Sequence, residues 1–297
     1  MRILLTGRNG QVGWELERAL APLGEVIACD RAALDLMQPD RIVSVVRAAR
    51  PEVIVNAAAY TAVDKAESEP DAAFAVNANG VRVLAEEAKR AGALLVHYST
   101  DYVFDGTKGS PYVEDDETGP LNVYGRSKLA GEQAIGAAGG RFLILRTSWV
   151  FAPRGRNFFL TVRRLLREKD EIRVVSDQIG APTSAAALAA ATAELLGRHR
   201  REALGEASGL YHATAAGHTS WHGFAAEIAR LEHAHLPTTP RVVPIPSSAY
   251  PSPARRPKNS RLSNEKLRRT FAVVLPSWEE CLQACHAAAE SVPNFRS

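Results

Sequence analysis

Short apolar runs alternate with helical patterns through the first half of the chain. Five runs are typical of buried strands: RILLTG (2–7), EVIACD (25–30), EVIVNAAA (52–59), ALLVHYSTD (93–101) and RFLILRTSWV (141–150). Between them, apolar residues recur at helical spacing over Gln11–Ala21, Asp40–Ala49, Asp71–Ala91 and Asn122–Ala138. Strands rich in valine, isoleucine and leucine that alternate with helices indicate a parallel sheet covered on both faces.

The pattern becomes less regular after Phe151. It predicts a strand at LYHATA (210–215) and helices at Asn157–Arg167, Ala185–Leu196, Ser263–Thr270 and Ser277–Ser291. The segment Pro237–Pro257 holds seven of the 17 prolines and should be extended and loop-like. We therefore expect an α/β fold: a Rossmann-type parallel sheet with helices on both faces (1–150), then a smaller mixed α/β C-terminal substrate domain (151–297). Residues of about 172–200 are a candidate addition to the first domain.

Composition excludes several classes of protein. The chain is 46% hydrophobic and 23% charged with a net charge of +3, too small to indicate a nucleic-acid partner by itself. No apolar run approaches the roughly 18–20 residues of a membrane helix, and the N-terminus enters a strand pattern rather than a signal peptide. Cys29, Cys281 and Cys285 form neither a disulfide framework nor a metal-ligand set. We expect a cytoplasmic protein without a metal site.

A glycine-rich loop follows the first predicted strand. In TGRNGQVG, Gly7, Gly10 and Gly13 stand between a strand and a helix, where glycine permits a tight turn and close approach to phosphate. The helix N-terminus favours an anionic group. This arrangement predicts a dinucleotide site.

The residues after the second predicted strand bear on the choice of nicotinamide cofactor. Asp30 can hydrogen-bond an adenosine ribose, which favours NADH, whereas Arg31 can meet a 2′-phosphate, which favours NADPH. The two residues indicate opposite preferences, so both cofactors remain open.

Tyr124 and Lys128 lie about one turn apart in NVYGRSKLAGE and should project from one face of a helix. A tyrosine over a carbonyl oxygen can donate a proton as hydride reaches the carbon, and a nearby ammonium should lower its pKa towards the working pH. The long lysine side chain can also hydrogen-bond a ribose. Thr100, at the end of the fourth predicted strand, can supply a second hydroxyl donor to the carbonyl.

These features resemble the extended short-chain dehydrogenase/reductase superfamily. The motifs GRNGQVGWEL, VIVNAAAYTAVDKAESEP, VHYSTDYVFDG, LNVYGRSKLAGE, LRTSWVF, DQIGAPT and RPKNSRL occur in the order seen in the dTDP-4-dehydrorhamnose reductase family. The resemblance spans about Arg2 to Trp278. It implies reduction of the C4 ketone of dTDP-4-dehydro-β-L-rhamnose to dTDP-L-rhamnose.

The resemblance also implies roles for matching residues. Tyr124 would be the proton donor, Lys128 its activator and a ribose ligand, and Thr100 the second donor to the C4 oxygen. The implied cofactor contacts, together with those expected from the glycine loop and the second strand, are Gly7, Gly10, Gln11, Val12, Gly13, Asp30, Arg31, Asp35, Leu36, Ala59, Tyr60, Thr61 and Tyr98. Asp101 and Trp149 would contact the sugar.

The segment Pro251–Thr270 contains seven basic residues and a single acid, Glu265. A dTDP-sugar carries a diphosphate, whose oxygens match the planar fork of arginine. Arg256 and Arg261 are therefore the predicted diphosphate ligands, with Asn157 and Asn259 as helpers.

Some members of the family are homodimers bridged by magnesium through glutamates. Glu15 is present here, but TSAAALAAAT (183–192) has alanines where another ligand would be expected. One carboxylate is a poor Mg²⁺ site. A homodimer is thus implied by resemblance, whereas a Mg²⁺ bridge is not supported by this sequence.

Three other functions share this fold. A nucleotide-sugar dehydratase needs an acid directly after Asp101, where this chain has Tyr102. An epimerase would keep Tyr124 and Lys128 but hold its nicotinamide permanently. A non-catalytic regulatory subunit should have lost one of the three catalytic candidates, and all three are present.

Overall fold

The computed structural model describes residues 1–199, 207–235 and 240–291. Its strands are β1 (Arg2–Thr6), β2 (Glu25–Cys29), β3 (Val53–Asn56), β4 (Leu94–Thr100), β5 (Arg141–Thr147), β6 (Val150–Phe151), β7 (Glu171–Val175), β8 (Ile179–Gly180), β9 (Thr183–Ser184), β10 (Gly209–His212), β11 (Thr219–Ser220) and β12 (Arg241–Ile245). Its helices are α1 (Gln11–Leu20), α2 (Pro39–Ala49), α3 (Val63–Ala66), α4 (Pro70–Phe74), α5 (Gly80–Ala91), α6 (Val123–Ala138), α7 (Phe158–Glu168), α8 (Ala185–His199), α9 (Trp221–Glu232), α10 (Glu265–Phe271) and α11 (Trp278–Glu290).

Six parallel strands form the central sheet, in the order β2–β1–β3–β4–β5–β10. Successive residues of β1 face opposite sides, as strand geometry requires. Ile3 and Leu5 pack in a cluster with α1 and α8, whereas Leu4 packs with α2 and α5. The predicted Rossmann-type parallel sheet, with helices on both faces, is confirmed.

The strand order reverses direction between β1 and β3, because the chain moves outward to β2 and returns on the other side of β1. In open parallel sheets, ligands bind in the crevice at the carboxyl ends of the strands next to such a switch point. The topology therefore directs attention to the residues that follow β1, β3 and β4.

The predicted single helix over 71–91 is wrong. The chain forms α4, a π-helical turn at Ala75–Asn79, and then α5. The side chain of buried Asn77 in this turn bonds the backbone of Tyr60 and the hydroxyl of Ser127. These tertiary contacts stabilise the irregular turn. π-Helical turns occur mostly as single turns and are frequent at functional sites.

The second half of the chain builds its own apolar cluster and also adds to the central sheet. Apolar side chains of α7, α9 and α11 pack together with those of β7, and β7 pairs in parallel with β12. The chain then returns to the sheet, where β10 pairs with β5 and Leu188 of α8 joins the cluster that contains Leu16 of α1.

Of the described elements with at least five residues, three were absent from the sequence prediction: β7, α9 and β12. The shorter α3, β8, β9 and β11 were absent as well. Strand β12 lies inside the proline-rich segment predicted to be a loop, and 236–239 of that segment lie outside the described residues. Pro244 fits within β12 because a two-stranded pair leaves one edge of the strand open. In the described part of the chain, the helices are all too short or too polar to cross a membrane.

Candidate active site

A cleft of about 790 Å³ opens at the carboxyl ends of the central strands. Its walls come from the residues that follow β1, β3, β4 and β5 together with α6, α7 and the segment before α10. Nineteen of the 22 predicted site residues line it: Gly7, Gly10, Gln11, Val12, Asp30, Arg31, Asp35, Leu36, Ala59, Tyr60, Thr61, Tyr98, Thr100, Asp101, Tyr124, Lys128, Trp149, Asn157 and Arg256. Gly13, Asn259 and Arg261 do not.

The glycine loop has little room for side chains. Gly7 has φ +75°, and a Cβ placed on it would lie 2.7 Å from the amide nitrogen of Ala58. A Cβ on Gly13 would lie 2.0 Å from the carbonyl oxygen of Gly7, so Gly13 allows α1 to pack on the loop although it does not reach the cleft. The amide of Gly10 donates to the Gly7 carbonyl at 2.9 Å. The loop thus forms a tight turn at the N-terminus of a helix, as anion binding requires.

Asp30 and Arg31 both lie at the adenosine end expected for the cleft. Asp30 Oδ1 accepts the amide of Ala33 at 3.0 Å, which orders the turn after β2. Arg31 is 78% exposed and bonds Asp35 Oδ2 at 3.3 Å. An exposed guanidinium can turn towards the 2′-phosphate of NADPH, whereas the Asp30 carboxylate can accept from a ribose hydroxyl of NADH. The geometry of this turn is therefore compatible with either cofactor.

Tyr60 is fixed by the π-helical turn. The Tyr60 amide donates to Asn77 Oδ1 at 2.9 Å, and Asn77 Nδ2 donates to the Tyr60 carbonyl at 3.0 Å. The same Nδ2 donates to Ser127 Oγ at 2.9 Å. Ser127 lies between Tyr124 and Lys128 on α6, so the buried Asn77 side chain joins the loop after β3 to α6.

Thr100 and Tyr124 meet across the cleft wall. Helix α6 begins at its N-cap Asn122, whose Oδ1 accepts the amide of Gly125 at 2.8 Å, and this start directs Tyr124 towards the end of β4. Both residues line the cleft here, and the Thr100 hydroxyl acts to lower the pKa of the Tyr124 phenol. Two hydroxyl groups therefore converge where a carbonyl oxygen would need two donors.

Asp101 lies next to this pair and is fully buried. Its Oδ1 accepts from Thr100 Oγ1 at 3.2 Å. Burial raises the pKa of Asp101 to about 7, although hydrogen bonds from Ser260 and Thr100 act in the opposite direction. The carboxyl group therefore changes charge near neutral pH.

Lys128 is almost wholly buried and contacts β4. Its Nζ donates to the Tyr98 carbonyl at 2.6 Å and lies 3.0 Å from Nε2 of His97. Burial lowers the pKa of Lys128 to about 8, while Glu132 on the next turn acts to raise it. Tyr98 serves this contact through its backbone, because its phenol bonds Thr192 Oγ1 in the core at 2.5 Å.

The sequence prediction that Lys128 lowers the pKa of Tyr124 requires correction for the protein alone. Burial raises the pKa of Tyr124 to about 12; the Thr100 hydrogen bond acts to lower it and the charge of Asp101 to raise it further. The described contacts of Lys128 Nζ are instead with Tyr98 and His97 on β4. The phenol is thus not acidified by the contacts that the lysine makes here.

Trp149 forms one wall of the cleft with an unusual backbone. Its φ is +48°, a conformation that bulky residues rarely adopt outside functional sites. Its indole stacks on that of Trp221, with centroids 3.5 Å apart and planes within 8°. The indole also lies against Gly180, so closely that a Cβ on this glycine would come within 2.4 Å of the Trp149 ring.

Arg256 reaches the cleft from the segment before α10. Its Nη2 donates to Asp64 Oδ2 at 2.8 Å, and its Nη1 donates to Ser252 Oγ at 2.5 Å. These partners hold the guanidinium in one orientation at the cleft wall.

Other predicted diphosphate ligands lie elsewhere. Asn259 Nδ2 donates to the carbonyls of Lys108 and Ser110, and Arg261 donates to the Gly109 carbonyl and Asn259 Oδ1. Both side chains thus fasten the 108–110 loop outside the cleft, which corrects their predicted role. Asn157 does line the cleft, but its Nδ2 donates to Gln11 Oε1 at 2.7 Å and its Oδ1 caps α7, so it joins the glycine loop to α7.

Several cleft residues were missed by sequence reasoning. Trp221 and Phe158 line the cleft wall beside Trp149. Ser220 caps α9 by accepting the Gly223 amide, and this serine before an apolar run was the available signal for the helix that presents Trp221. The stacking partner itself carries no local signal.

Outside the cleft, Glu232, His286 and Glu290 form the one close group of metal-type ligands found in the ranges that the structure describes. Glu232 is buried and accepts hydrogen bonds from Arg163 and from Arg167. Two guanidinium groups neutralise the carboxylate, which favours a buried ion-pair cluster over a cation site. The sequence prediction of no metal site stays a prediction.

Comparison with known proteins gives a consistent result. The family model described as RmlD substrate binding domain matches residues 1–291. The dTDP-4-dehydrorhamnose reductase of Burkholderia thailandensis is 54% identical over 291 residues, covering 96% of this chain and 98% of that protein.

Solved structures agree with this match. A dTDP-4-dehydrorhamnose reductase from Clostridium acetobutylicum has a TM-score of 0.91 at 37% identity, covering 98% of this chain and 100% of that one. The enzyme from Bacillus anthracis, solved in complex with NADP, has a TM-score of 0.88 at 37% identity, covering 97% and 99%. The chain therefore belongs to the dTDP-4-dehydrorhamnose reductase family.

Proposed function

We propose that this protein reduces the C4 ketone of dTDP-4-dehydro-β-L-rhamnose to dTDP-L-rhamnose with NADPH or NADH. The observation that carries the proposal is the meeting of Thr100, Tyr124 and Lys128 in the cleft that also contains the glycine loop. Family membership and the reductase activity named for the Burkholderia relative support the same reaction.

The residues of the cleft fit a dinucleotide. The turn at Gly7 approaches the backbone of Ala58 so closely that only glycine fits, which leaves the amides at the start of α1 open to a diphosphate. Gln11 and Val12 would hold the diphosphate, and Asp30, Arg31, Asp35 and Leu36 would surround the adenosine. NADPH use is supported by the NADP complex of the Bacillus relative.

When bound, the reduced nicotinamide supplies a hydride to the carbonyl carbon. The chain's own residues supply the proton and the positioning. Tyr124 donates its phenolic proton to the developing alkoxide, and Thr100 donates a second hydrogen bond to the same oxygen. The Thr100 proton, which is donated to Asp101 Oδ1 in the protein alone, would turn to the substrate oxygen as charge develops there.

The dTDP-sugar would occupy the side of the cleft formed by Asp101, Trp149 and Arg256. The Trp149 indole offers an apolar face and a single N–H donor, which suits a 6-deoxysugar. The Arg256 guanidinium is held by Asp64 in an orientation that lets its planar fork meet diphosphate oxygens. A cytoplasmic location and a homodimer belong to the same proposal.

The test is turnover with the dTDP-ketosugar made in situ. Loss of the reduced-nicotinamide absorbance should depend on the ketosugar, and the product should gain two hydrogen atoms by mass spectrometry. Comparing NADPH with NADH in the same assay gives the cofactor preference. If the cofactor binds but its absorbance does not change with the ketosugar, the proposed reaction is wrong and a non-catalytic role is favoured.

A further inference from the structure

Behind the catalytic lysine lies a chain of buried polar side chains that the proposed reaction does not use. Asn56 ends β3 and His97 lies within β4, and both are buried in the centre of the sheet. Asn56 Nδ2 lies 2.9 Å from His97 Nδ1, and His97 Nε2 lies 3.0 Å from Lys128 Nζ. Strand β4, whose first three residues are apolar, thus places an imidazole directly behind the lysine.

The direction of these hydrogen bonds is set at one end by the backbone. The amide N–H of Ala58 can only donate, and it points at Asn56 Oδ1 at 3.2 Å. The Thr6 hydroxyl donates to the same oxygen at 2.6 Å. The Asn56 side chain is therefore oriented with its NH₂ group towards His97, where it donates to Nδ1.

This direction determines the tautomer of His97. Burial keeps the pKa of His97 well below its usual value, so the ring is neutral and carries one proton. Because Nδ1 accepts from Asn56, that proton lies on Nε2 and points at Lys128 Nζ. An N–H donor needs a lone pair, which an amine has and an ammonium lacks.

The ammonium form of Lys128 would require the opposite arrangement. Nε2 would have to accept, the ring proton would move to Nδ1, and two donors would face each other across the 2.9 Å between Nδ1 and Asn56 Nδ2. The amine form satisfies each contact, since it accepts from His97 and donates to the Tyr98 carbonyl at 2.6 Å.

We propose that Asn56 and His97 are positioning residues that favour the neutral amine of Lys128 over its ammonium form in the free enzyme, and that cofactor binding makes this amine take up a proton from solvent at alkaline pH. The inference rests on the proposed function, because the uptake requires a dinucleotide whose ribose hydroxyls and diphosphate favour an ammonium. One proton is added to Lys128 Nζ and none is lost elsewhere in the step.

This inference bears on the pKa of Tyr124, which burial raises in the protein alone. An amine does not acidify a phenol, whereas an ammonium formed on cofactor binding does. The phenol would thus become an effective acid only when the cofactor is present.

The other groups that face Lys128 are compatible with this step. Glu132, on the next turn of α6, favours the ammonium, but its carboxylate is shared with Arg146 of β5 through two hydrogen bonds. Tyr124, on the preceding turn, is neutral at ordinary pH. His97 is the remaining facing group, and it comes from β4.

The test is isothermal titration calorimetry of NADPH binding, without sugar, in buffers of different ionisation enthalpy. At pH 9, where an ordinary lysine is still charged, binding should take up close to one proton per site, and at pH 6.5 uptake should be small. NADH, which lacks the 2′-phosphate, should give the same proton number at pH 9. Lys128→Met is the control, and its binding should show almost no uptake.

Asn56→Asp tests the direction of the chain with little change in shape. A carboxylate keeps the bonds from Ala58 and Thr6 but accepts from His97 Nδ1, which leaves a lone pair on Nε2 for an ammonium. Proton uptake at pH 9 should fall to less than about a fifth of the wild-type number. A purely structural role for Asn56 would leave that number unchanged.

His97→Gln provides a second variant should Asn56→Asp fail to fold. Its amide oxygen can accept from an ammonium, so the proton number at pH 9 should again fall. NADPH binding at pH 9 without proton uptake, in the wild type and in Tyr124→Phe alike, would overturn the inference, because the variant has no phenolic proton whose release could mask the uptake. Absence of any NADPH binding would instead overturn the proposed function, so the two failures are distinct.

Discussion

Arg256 donates a hydrogen bond from Nη2 to Asp64 Oδ2 at 2.8 Å, and this contact joins the segment before α10 to α3, the short helix that ends the loop after β3. The loop after β3 belongs to the predicted cofactor half of the cleft and the arginine to its substrate half. The Asp64 carboxylate thus fixes the orientation of the Arg256 guanidinium.

The first prediction concerns this arginine. Arg256→Lys keeps the charge but loses the planar fork, so KM for the dTDP-sugar should rise about 10- to 100-fold with kcat changed much less. Steady-state kinetics at saturating NADPH measures both constants. Arg255→Lys is the matched control, because Arg255 is exposed beside the cleft and does not line it. An equal rise of KM in both variants would contradict a specific role for Arg256.

The second prediction concerns the proton donor. Tyr124→Phe removes the transferable proton and keeps the ring, so turnover should fall by a factor of about 10²–10⁴. The Kd for NADPH, measured by fluorescence, should stay close to the wild-type value. Wild-type turnover in this variant, with an isotope effect from deuterated NADPH showing that chemistry limits the rate, would rule out the proposed role.

The third prediction concerns the indole wall. In Gly180→Ala the new methyl would lie 2.4 Å from the Trp149 ring, so the indole must move from its stack on Trp221. The KM for the dTDP-sugar should rise about tenfold, as expected for a displaced aromatic contact of roughly 1.4 kcal/mol. Gly109→Ala, where a Cβ meets open space, is the comparison that should behave like wild type. Unchanged sugar kinetics in Gly180→Ala would exclude Trp149 from substrate binding.

The fourth prediction concerns the contact of α6 with the π-helical turn. A Cβ on Gly131 would lie 2.1 Å from the Asn77 carbonyl oxygen, and the backbone cannot move away cheaply. Gly131→Ala should lower the free energy of unfolding by about 1–3 kcal/mol. Gly136→Ala, in the same helix and facing open space, should raise it by up to about 1 kcal/mol. Denaturant titrations of both variants give the comparison, and changes of the same sign would contradict it.

The fifth prediction concerns pH and Asp101. The folded protein raises the pKa of this carboxyl from its ordinary value of 3.8 to about 7. The protonated group stabilises the fold fully below about pH 4, and that contribution is lost as pH rises through about 7. Relative to Asp101→Asn, the wild-type free energy of unfolding should therefore fall by on the order of 4 kcal/mol between pH 4 and 7. Parallel stability curves for the two proteins would contradict the buried environment of Asp101.

The sequence was sufficient to predict those strands, helix starts and turns that depend on neighbouring residues alone. Runs such as Leu94–Val96 have no alternative to a strand buried on both faces, and Asn122 before α6 marks a helix start that the structure reproduces. The tight turn predicted at Gly7 is present, and its φ of +75° is a conformation that glycine adopts more easily than other residues. The position of the cleft could be predicted from these elements together with the rule that ligands bind at the carboxyl ends of parallel strands.

The misses have a common cause, which is contact between residues distant in sequence. Nothing near Asn77 announces a π-turn, because its partners Tyr60 and Ser127 come from other elements. Arg256 and Arg261 are the two diphosphate ligands predicted from the basic segment, yet of the two only Arg256 lines the cleft. The role of Arg261 is set by the loop it fastens, which the sequence cannot position.

The order in which the sheet is completed affects how the chain can be made. Strand β10 and helix α8 come late in the sequence, after α7 and β7. Yet β10 completes the edge of the sheet, and α8 covers the face that carries Leu5, Val55 and Val96. During synthesis, the ribosome releases five strands well before their last neighbour and part of their cover. The nascent chain must therefore keep an apolar surface away from other chains until translation reaches α8, and this makes early engagement by a chaperone an advantage.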